Sequence, residues 1–273
     1  QWECFEFIKG DILDRELCND AIRDVDYVLH QAAMASVPES IEDPVTYNTT
    51  NVGGFLNILI AARDQNVKGM VYAASSASYG DNEDLQKVEE RSGKQLSPYA
   101  VTKYANELYA QSFSHNYNFN SVGLRYFNVY GPRQNPDGGY AAVIPSWMKS
   151  VRDKSSISIF GNGEATRDYC FVEDVVQANI LAAISCDLDI DMVFNVASGE
   201  KTSLNKLYFE IEKIFSELGL GFKIDPIYKE TRAGDILHSH ADISKIKKHL
   251  GFVPRFDLEE GLRVGVSRYF ADS

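Results

Sequence analysis

Short β-rich runs alternate with amphipathic helical stretches across the first half of the chain, and this pattern of parallel βαβ units constrains the fold most. Residues 5–9 and 27–31 read as strands, and Leu17, Ala21, Ile22 and Val25 set an apolar stripe at helical spacing between them. Residues 70–74 form a third strand behind a helix over 55–62, and residues 121–124 a fourth behind a helix over 99–117. The predicted fold class is α/β with a doubly wound parallel sheet. With 273 residues, 44% of them apolar, the chain is long enough for that core and a smaller lobe.

After Arg125 the texture changes to Gly, Pro, Asn and aromatic loops, interrupted by helices near 142–151 and 175–184. The C-terminal stretch reads as a helix capped by Ser203, a strand at 223–227 and two short helices near 243–250 and 258–269. A dinucleotide-binding sheet opens with a strand, a Gly-rich turn and a helix whose N-terminus holds pyrophosphate. No Gly-x-Gly-x-x-Gly occurs here, and Gly161-Asn-Gly163 lacks the third glycine. The expectation is that two β-α units of about 30 residues each precede residue 1 in the intact protein.

A formal charge of −12 disfavours nucleic acid or an anionic membrane as a partner, so any anionic ligand must be held by local features. No run approaches the ~20 apolar residues of a membrane span, and the first residues are not a signal peptide. A cytoplasmic setting is the default expectation. Cys4, Cys18, Cys170 and Cys186 lack the spacing of a disulfide framework or zinc site and read as four buried free thiols. His238 and His240 have no ligand cluster beside them, so no metal is expected.

The residue types that carry chemistry gather around one helix start. In Ser97-Pro98-Tyr99-Ala-Val-Thr-Lys103 the serine suits an N-cap and the proline the first turn, where its missing N–H is harmless. Tyr99 and Lys103 then share a face at i,i+4, and a nearby ammonium favours phenolate, lowering the tyrosine pKa from its usual ~10. Tyr99 becomes a usable general base. Ser75 ends the third strand, where loops of such sheets carry ligands, and can hydrogen-bond the substrate hydroxyl that Tyr99 deprotonates.

The segments AASSASYGD (73–81), SPYAVTK (97–103), LRYFNVYGPRQ (124–134) and RDYCFVEDV (167–175) resemble the extended short-chain dehydrogenase/reductases that act on nucleotide sugars. The resemblance covers essentially the whole chain. It implies a Rossmann-like NAD-binding domain over 1–128 and 168–196 and a UDP-sugar-binding lobe over 129–167 and 197–273. It implies Tyr99, Lys103 and Ser75 as the catalytic set, with Ser76 beside the catalytic serine, and NAD as the hydride acceptor. NAD would be held by Asp11, Ile12, Gln31, Ala32, Ala33, Asn51, Ala73, Tyr99, Lys103 and Tyr126; the alanines also read as ordinary close packing.

Relatives that eliminate water or CO2 carry acids just after the serine, where this chain has Ser76 and Ala77. What remains is oxidation at C4 and return of the hydride to the other face, the reaction of a UDP-hexose 4-epimerase. A dehydratase or decarboxylase would have to draw its acid and base from Glu83 or Glu89. By the same resemblance Arg167 and Arg232 clamp the diphosphate, Asp235 binds the uridine ribose, Asn128 the sugar-phosphate, and Ser158 and Phe160 lie on the strand that reads uracil. Ala142 and Val143 supply backbone donors, and Ser36, Ser75, Ser76 and Tyr99 line the sugar. Ser239 replaces the bulky Tyr of epimerases restricted to unacetylated sugars, and with the small Ala142 it points to UDP-GlcNAc and UDP-GalNAc, as in epimerases of bacterial surface-polysaccharide pathways. A homodimer pairing helices 55–62 and 104–113 is expected by analogy.

Overall fold

A computed structural model of the chain describes residues 4–137, 142–185, 193–220, 224–231 and 238–271. It divides into two compact units, one of residues 1–82, 92–125 and 179–194, the other of residues 83–91, 126–178 and 195–273.

In the first unit α1 (Arg15–Ile22) starts where Asp14 accepts from the Leu17 amide, and β1 (Tyr27–His30) follows. Two short helices, α2 (Val37–Glu42) and α3 (Pro44–Asn48), start at the caps Ser36 and Asp43, with proline at the second helical position in α2 and at the first in α3. A π-helical turn, Thr49–Gly54, joins α3 to α4 (Phe55–Asp64). β2 (Gly69–Ser75) runs parallel to β1 with Tyr27 opposite Gly69. One 3-10 turn (Ser76–Tyr79) then leads through Gly80, where a φ of +55° and the Lys94 carbonyl oxygen, 2.0 Å from where a Cβ would stand, admit no side chain. The long α5 (Pro98–Tyr117) and β3 (Ser121–Tyr126) complete the run. The apolar faces of α4, β2 and α5 meet in a core around Phe55, Leu59, Met70, Tyr72 and Phe113, with the Phe55 and Tyr72 rings edge-on at 5.2 Å.

The second unit is built from β4 (Val129–Tyr130), α6 (Val143–Arg152), β5 (Ser158–Phe160), β6 (Thr166–Arg167), β7 (Cys170–Phe171) and the start of α7 (Val172–Ile184). β8 (Val193–Val196) completes a four-stranded sheet of order β1-β2-β3-β8. β9 (Thr202–Ser203), α8 (Leu204–Glu217), β10 (Ile227–Lys229), α9 (Ser244–Leu250) and α10 (Leu258–Ala271) follow. Its own core gathers Trp147, Ile159, Phe171, Leu207, Ile211 and Leu262.

Three expectations are corrected. Residues 5–9 form no strand: their backbone is irregular, and Phe5 and Phe7 are 62% and 75% exposed. Alternation of side chains is not enough for a strand without a neighbour to share hydrogen bonds. The strand expected at 223–227 forms instead over Ile227–Lys229, where pairing with β5 defines it. Cys4 is exposed, not buried; Cys18 and Cys170 are buried free thiols, and Cys186 lies outside the described residues. No helix among the described residues is long and apolar enough to cross a membrane.

Candidate active site

The first turn of α5 presents Tyr99 as the sequence demands. Ser97 accepts from the Ala100 amide at 3.1 Å, satisfying one of the orphan donors of the helix start, and Pro98 occupies the first helical position. The Thr102 hydroxyl, 2% exposed, donates to the Tyr99 carbonyl oxygen at 2.8 Å and ties the turn internally. Ser75, at the end of β2, caps the 3-10 turn through the Ala77 amide at 3.1 Å, and its hydroxyl is near enough to the Tyr99 phenol to lower that group's pKa. Ser76 is the first residue of that turn and takes no such cap position. The structure therefore brings Ser75 and Tyr99 together.

Lys103 sits one turn beyond Tyr99 and is buried, its ammonium donating to the Ala73 carbonyl oxygen at 2.9 Å. Burial pulls its pKa down to about 8. Tyr99 departs from expectation: burial pushes the phenol above its ordinary value, and the nearby Ser75 hydroxyl opposes this without prevailing. The i,i+4 spacing was expected to lower it, but the ammonium is bonded to Ala73 and burial is the larger influence.

The residues expected at the cofactor divide by how free they are. Gln31 and Ala32, just past β1, are exposed, with Ala33 half-buried; the Gln31 amide donates to Asn179 at 3.0 Å. His30, the last residue of β1, is held neutral with its pKa pulled down to about 4 by burial and by the Lys103 charge. Asn51, in the π-helical turn, is a strut: its amide accepts from the Met34 N–H at 2.8 Å and donates to the Met34 carbonyl at 2.9 Å and Thr102 Oγ1 at 3.1 Å. Asp11 accepts from the Leu13 amide at 2.9 Å, and the Ile12 carbonyl accepts from Asn57 at 3.0 Å. Ser36 caps α2, and its amide donates to the Tyr47 hydroxyl at 3.0 Å. Tyr126 ends β3, half-buried.

A separate cavity of about 530 Å³ lies within the second unit, and Asn128, Ala142, Val143, Ser158, Phe160 and Arg167 all line it. Alternation along β5 explains two of these, because Ile159 points into the core and leaves Ser158 and Phe160 for the cavity. Asn128 has a φ of +26° and donates to the Asp168 carbonyl at 3.0 Å. Ala142 stands at the cap position of α6 with no side chain to accept from the helix, so among the described residues the Val143 and Ile144 amides open the helix without a side-chain cap. Arg167 is anchored through its donation to the Thr166 carbonyl at 2.9 Å. Ser239 is not on the cavity wall; its amide donates to the Thr166 carbonyl at 3.1 Å, next to Arg167. Arg232 and Asp235 lie outside the described residues.

Against this geometry stands one comparison that decides the family: the model of the NAD dependent epimerase/dehydratase family matches residues 2–197. The chain belongs to this family. Among solved structures, this epimerase/dehydratase is similar to the UDP-N-acetylglucosamine 4-epimerase of Methanobrevibacter ruminantium M1 in complex with UDP-N-acetylmuramic acid. That match has 39% identity and a TM-score of 0.91, over 97% of this chain and 83% of the other. It is also similar to the UDP-glucose 4-epimerase of Thermotoga maritima with UDP-glucose, at 34% identity and a TM-score of 0.89 over 97% and 84% of the two chains. The UDP-glucose 4-epimerase of Mycolicibacterium smegmatis is 33% identical over 260 residues, 94% of this chain and 80% of the relative. The Rossmann-like α/β fold and the dependence on NAD follow from this membership.

Several site residues escaped the sequence reading. Lys229 and Trp147 also line the cavity, and Lys229 lies with its ammonium 5.9 Å from the Phe160 ring centroid. The signal for Lys229 was a register, Lys229 opposite Phe160, that only pairing between β10 and β5 creates. Glu89, named above as a possible acid for elimination, is buried with Oε1 accepting from the Asn195 amide at 2.8 Å, while Glu83 is exposed. His238 hydrogen-bonds Thr166 at 2.9 Å and His240 the Gly199 carbonyl at 3.0 Å.

Proposed function

We propose that the chain interconverts UDP-GlcNAc and UDP-GalNAc by NAD-dependent epimerisation at C4. The observation that carries this reading is the Ser75 hydroxyl at the end of β2, near enough to Tyr99 to lower its pKa, with the buried Lys103 one helical turn away and no carboxylate in the turn that follows Ser75. That set supports removal of one hydroxyl proton and its return, and nothing in it supports elimination. Of the two alternative acids, Glu89 is committed to the Asn195 amide and Glu83 is exposed.

Tyr99 takes the proton of the C4 hydroxyl and gives it back after the sugar has turned over, with Ser75 orienting that hydroxyl. NAD, when bound, would supply the acceptor and donor for the C4 hydride. The residues fit such a cofactor: an ammonium has three donors, Lys103 uses one on Ala73, and two remain for ribose hydroxyls. A cation beside the phenol then favours phenolate, opposing the effect of burial. In the second unit Arg167 and the uncapped first turn of α6 are the local anion site for the diphosphate, against a chain charge of −12. Asn128 bears on the sugar-phosphate, Ser158 and Phe160 on uracil, and Ser36 and Ser76 on the sugar.

The acetamido specificity rests on Ser239 and Ala142, both small, and is in keeping with the similarity to the Methanobrevibacter enzyme. UDP-glucose and UDP-galactose are the competing pair, favoured by similarity to the Thermotoga and Mycolicibacterium enzymes. A homodimer is part of the proposal: Val101, Leu108 and Tyr109 make an apolar stripe on α5 that is 40–51% exposed. Incubation of the full chain and NAD with UDP-GalNAc, followed by NMR, should yield UDP-GlcNAc faster than UDP-galactose yields UDP-glucose. Product with loss of water or CO2 by mass spectrometry, or no interconversion with NAD bound, rejects the reading.

A further inference from the structure

Arg125, the penultimate residue of β3, is 3% exposed and forks onto Glu107 of α5, with Nε to Oε1 at 2.9 Å and Nη2 to Oε2 at 2.7 Å. The guanidinium carbon lies 4.6 Å from the centroid of the Tyr79 ring, and Nη2 also donates to Ser92 Oγ at 3.2 Å. Tyr79 closes the 3-10 turn that Ser75 caps, and it is buried too. Glu107 follows Lys103 by one helical turn and Tyr99 by two, so the three share a face of α5. One buried cation thus touches the element after Ser75, the helix of Tyr99 and Lys103, and the end of β3.

Stability alone is a poor reason for this arrangement. Desolvation of a buried ion pair largely offsets its attraction, and well-packed apolar replacements are often neutral or better. What an apolar pair does not supply is direction. A bidentate guanidinium-carboxylate pair fixes both distance and plane, and stacking on an aromatic face fixes the guanidinium from a third side. Reacting groups need placement to within about 0.5 Å, which such a clamp can enforce.

We propose that Arg125, through Glu107 and Tyr79, is a positioning residue that sets Ser75 against Tyr99 and Lys103. This rests on the reading of those three as the reacting set. Arg125→Lys keeps the charge and loses the fork, and the double variant Arg125→Met with Glu107→Leu replaces the pair by apolar side chains. Both should bind NAD and UDP as the parent does and keep KM within about threefold, while kcat falls at least tenfold. A merely structural role predicts the reverse, a lower Tm with kcat per folded molecule unchanged, and that result in either folded variant overturns the proposal. Should the double variant fail to fold, Arg125→Lys decides alone, and should that also fail, Tyr79→Leu, which leaves the ion pair intact, decides by the same criterion. Tyr99→Phe is run alongside. Full activity there rejects the underlying reading, whereas an inactive Tyr99→Phe beside an unaffected Arg125→Lys rejects only the clamp.

Discussion

Tyr99 is governed by opposing influences: burial lifts its pKa and the nearby Ser75 hydroxyl lowers it. Removing the hydroxyl removes the base, so Tyr99→Phe should lower kcat by about 10² to 10⁴ while titrations still show NAD and UDP binding. His30 makes a prediction of a different kind. Its pKa falls from 6.5 to about 4, so the unfolded chain takes up a proton in that window that the folded chain refuses. This part of the stability is complete above pH 6.5 and is lost as pH drops toward 4, on the order of 3 kcal/mol in all. Urea unfolding at several pH values should show a shallower acid loss for His30→Gln than for the parent. The spacing of Tyr99 and Lys103 was legible from the sequence, but the direction of the Tyr99 shift was not. Burial is a property of the packed molecule, and the Ala73 carbonyl that takes Lys103 comes from a strand thirty residues earlier.

Among elements, α5 was readable because its signals are local: a serine cap, a proline in the first turn and a long run of helix formers. Loss of the cap should register both in folding and in catalysis, because the first turn carries Tyr99. Ser97→Ala is expected to destabilise by about 1 kcal/mol in urea unfolding and to lower kcat more than KM. The two-residue strands were illegible for the opposite reason. β6 and β9 exist because Thr166 meets Ser203 and Arg167 meets Thr202 in an antiparallel pair, and two residues carry no periodicity to detect. Segment 5–9 shows the converse error, a β-like pattern without a ladder. The π-helical turn was likewise hidden, since Asn51 is placed by partners in Met34 and Thr102 rather than by its neighbours in sequence.

Across the whole molecule the charge balance sets a condition on the proposed ligand. With 27 basic and 39 acidic residues, the general field repels a diphosphate, and Arg167, Lys229 and the α6 amides must overcome it at short range. Added salt screens the long-range repulsion as well as the local attraction, over a Debye length of about 10 Å at 0.1 M and about 3 Å at 1 M. Contacts within the cavity are shorter than either length. UDP affinity, read from Trp147 fluorescence, should therefore change by less than tenfold between these salt concentrations, and Arg167→Gln should weaken UDP far more than uridine. A steep salt dependence, or equal losses for UDP and uridine, contradicts the local anion site.

The bare first turn of α6 carries one more consequence. A helix start without a capping side chain is incomplete as a piece of folding, and a bound diphosphate can serve as its cap. Ligand at about a hundredfold over its dissociation constant adds about 2.7 kcal/mol to stability by mass action. With the proposed diphosphate site at this helix start, resistance to limited proteolysis should rise with UDP concentration, and no change on adding UDP would count against it.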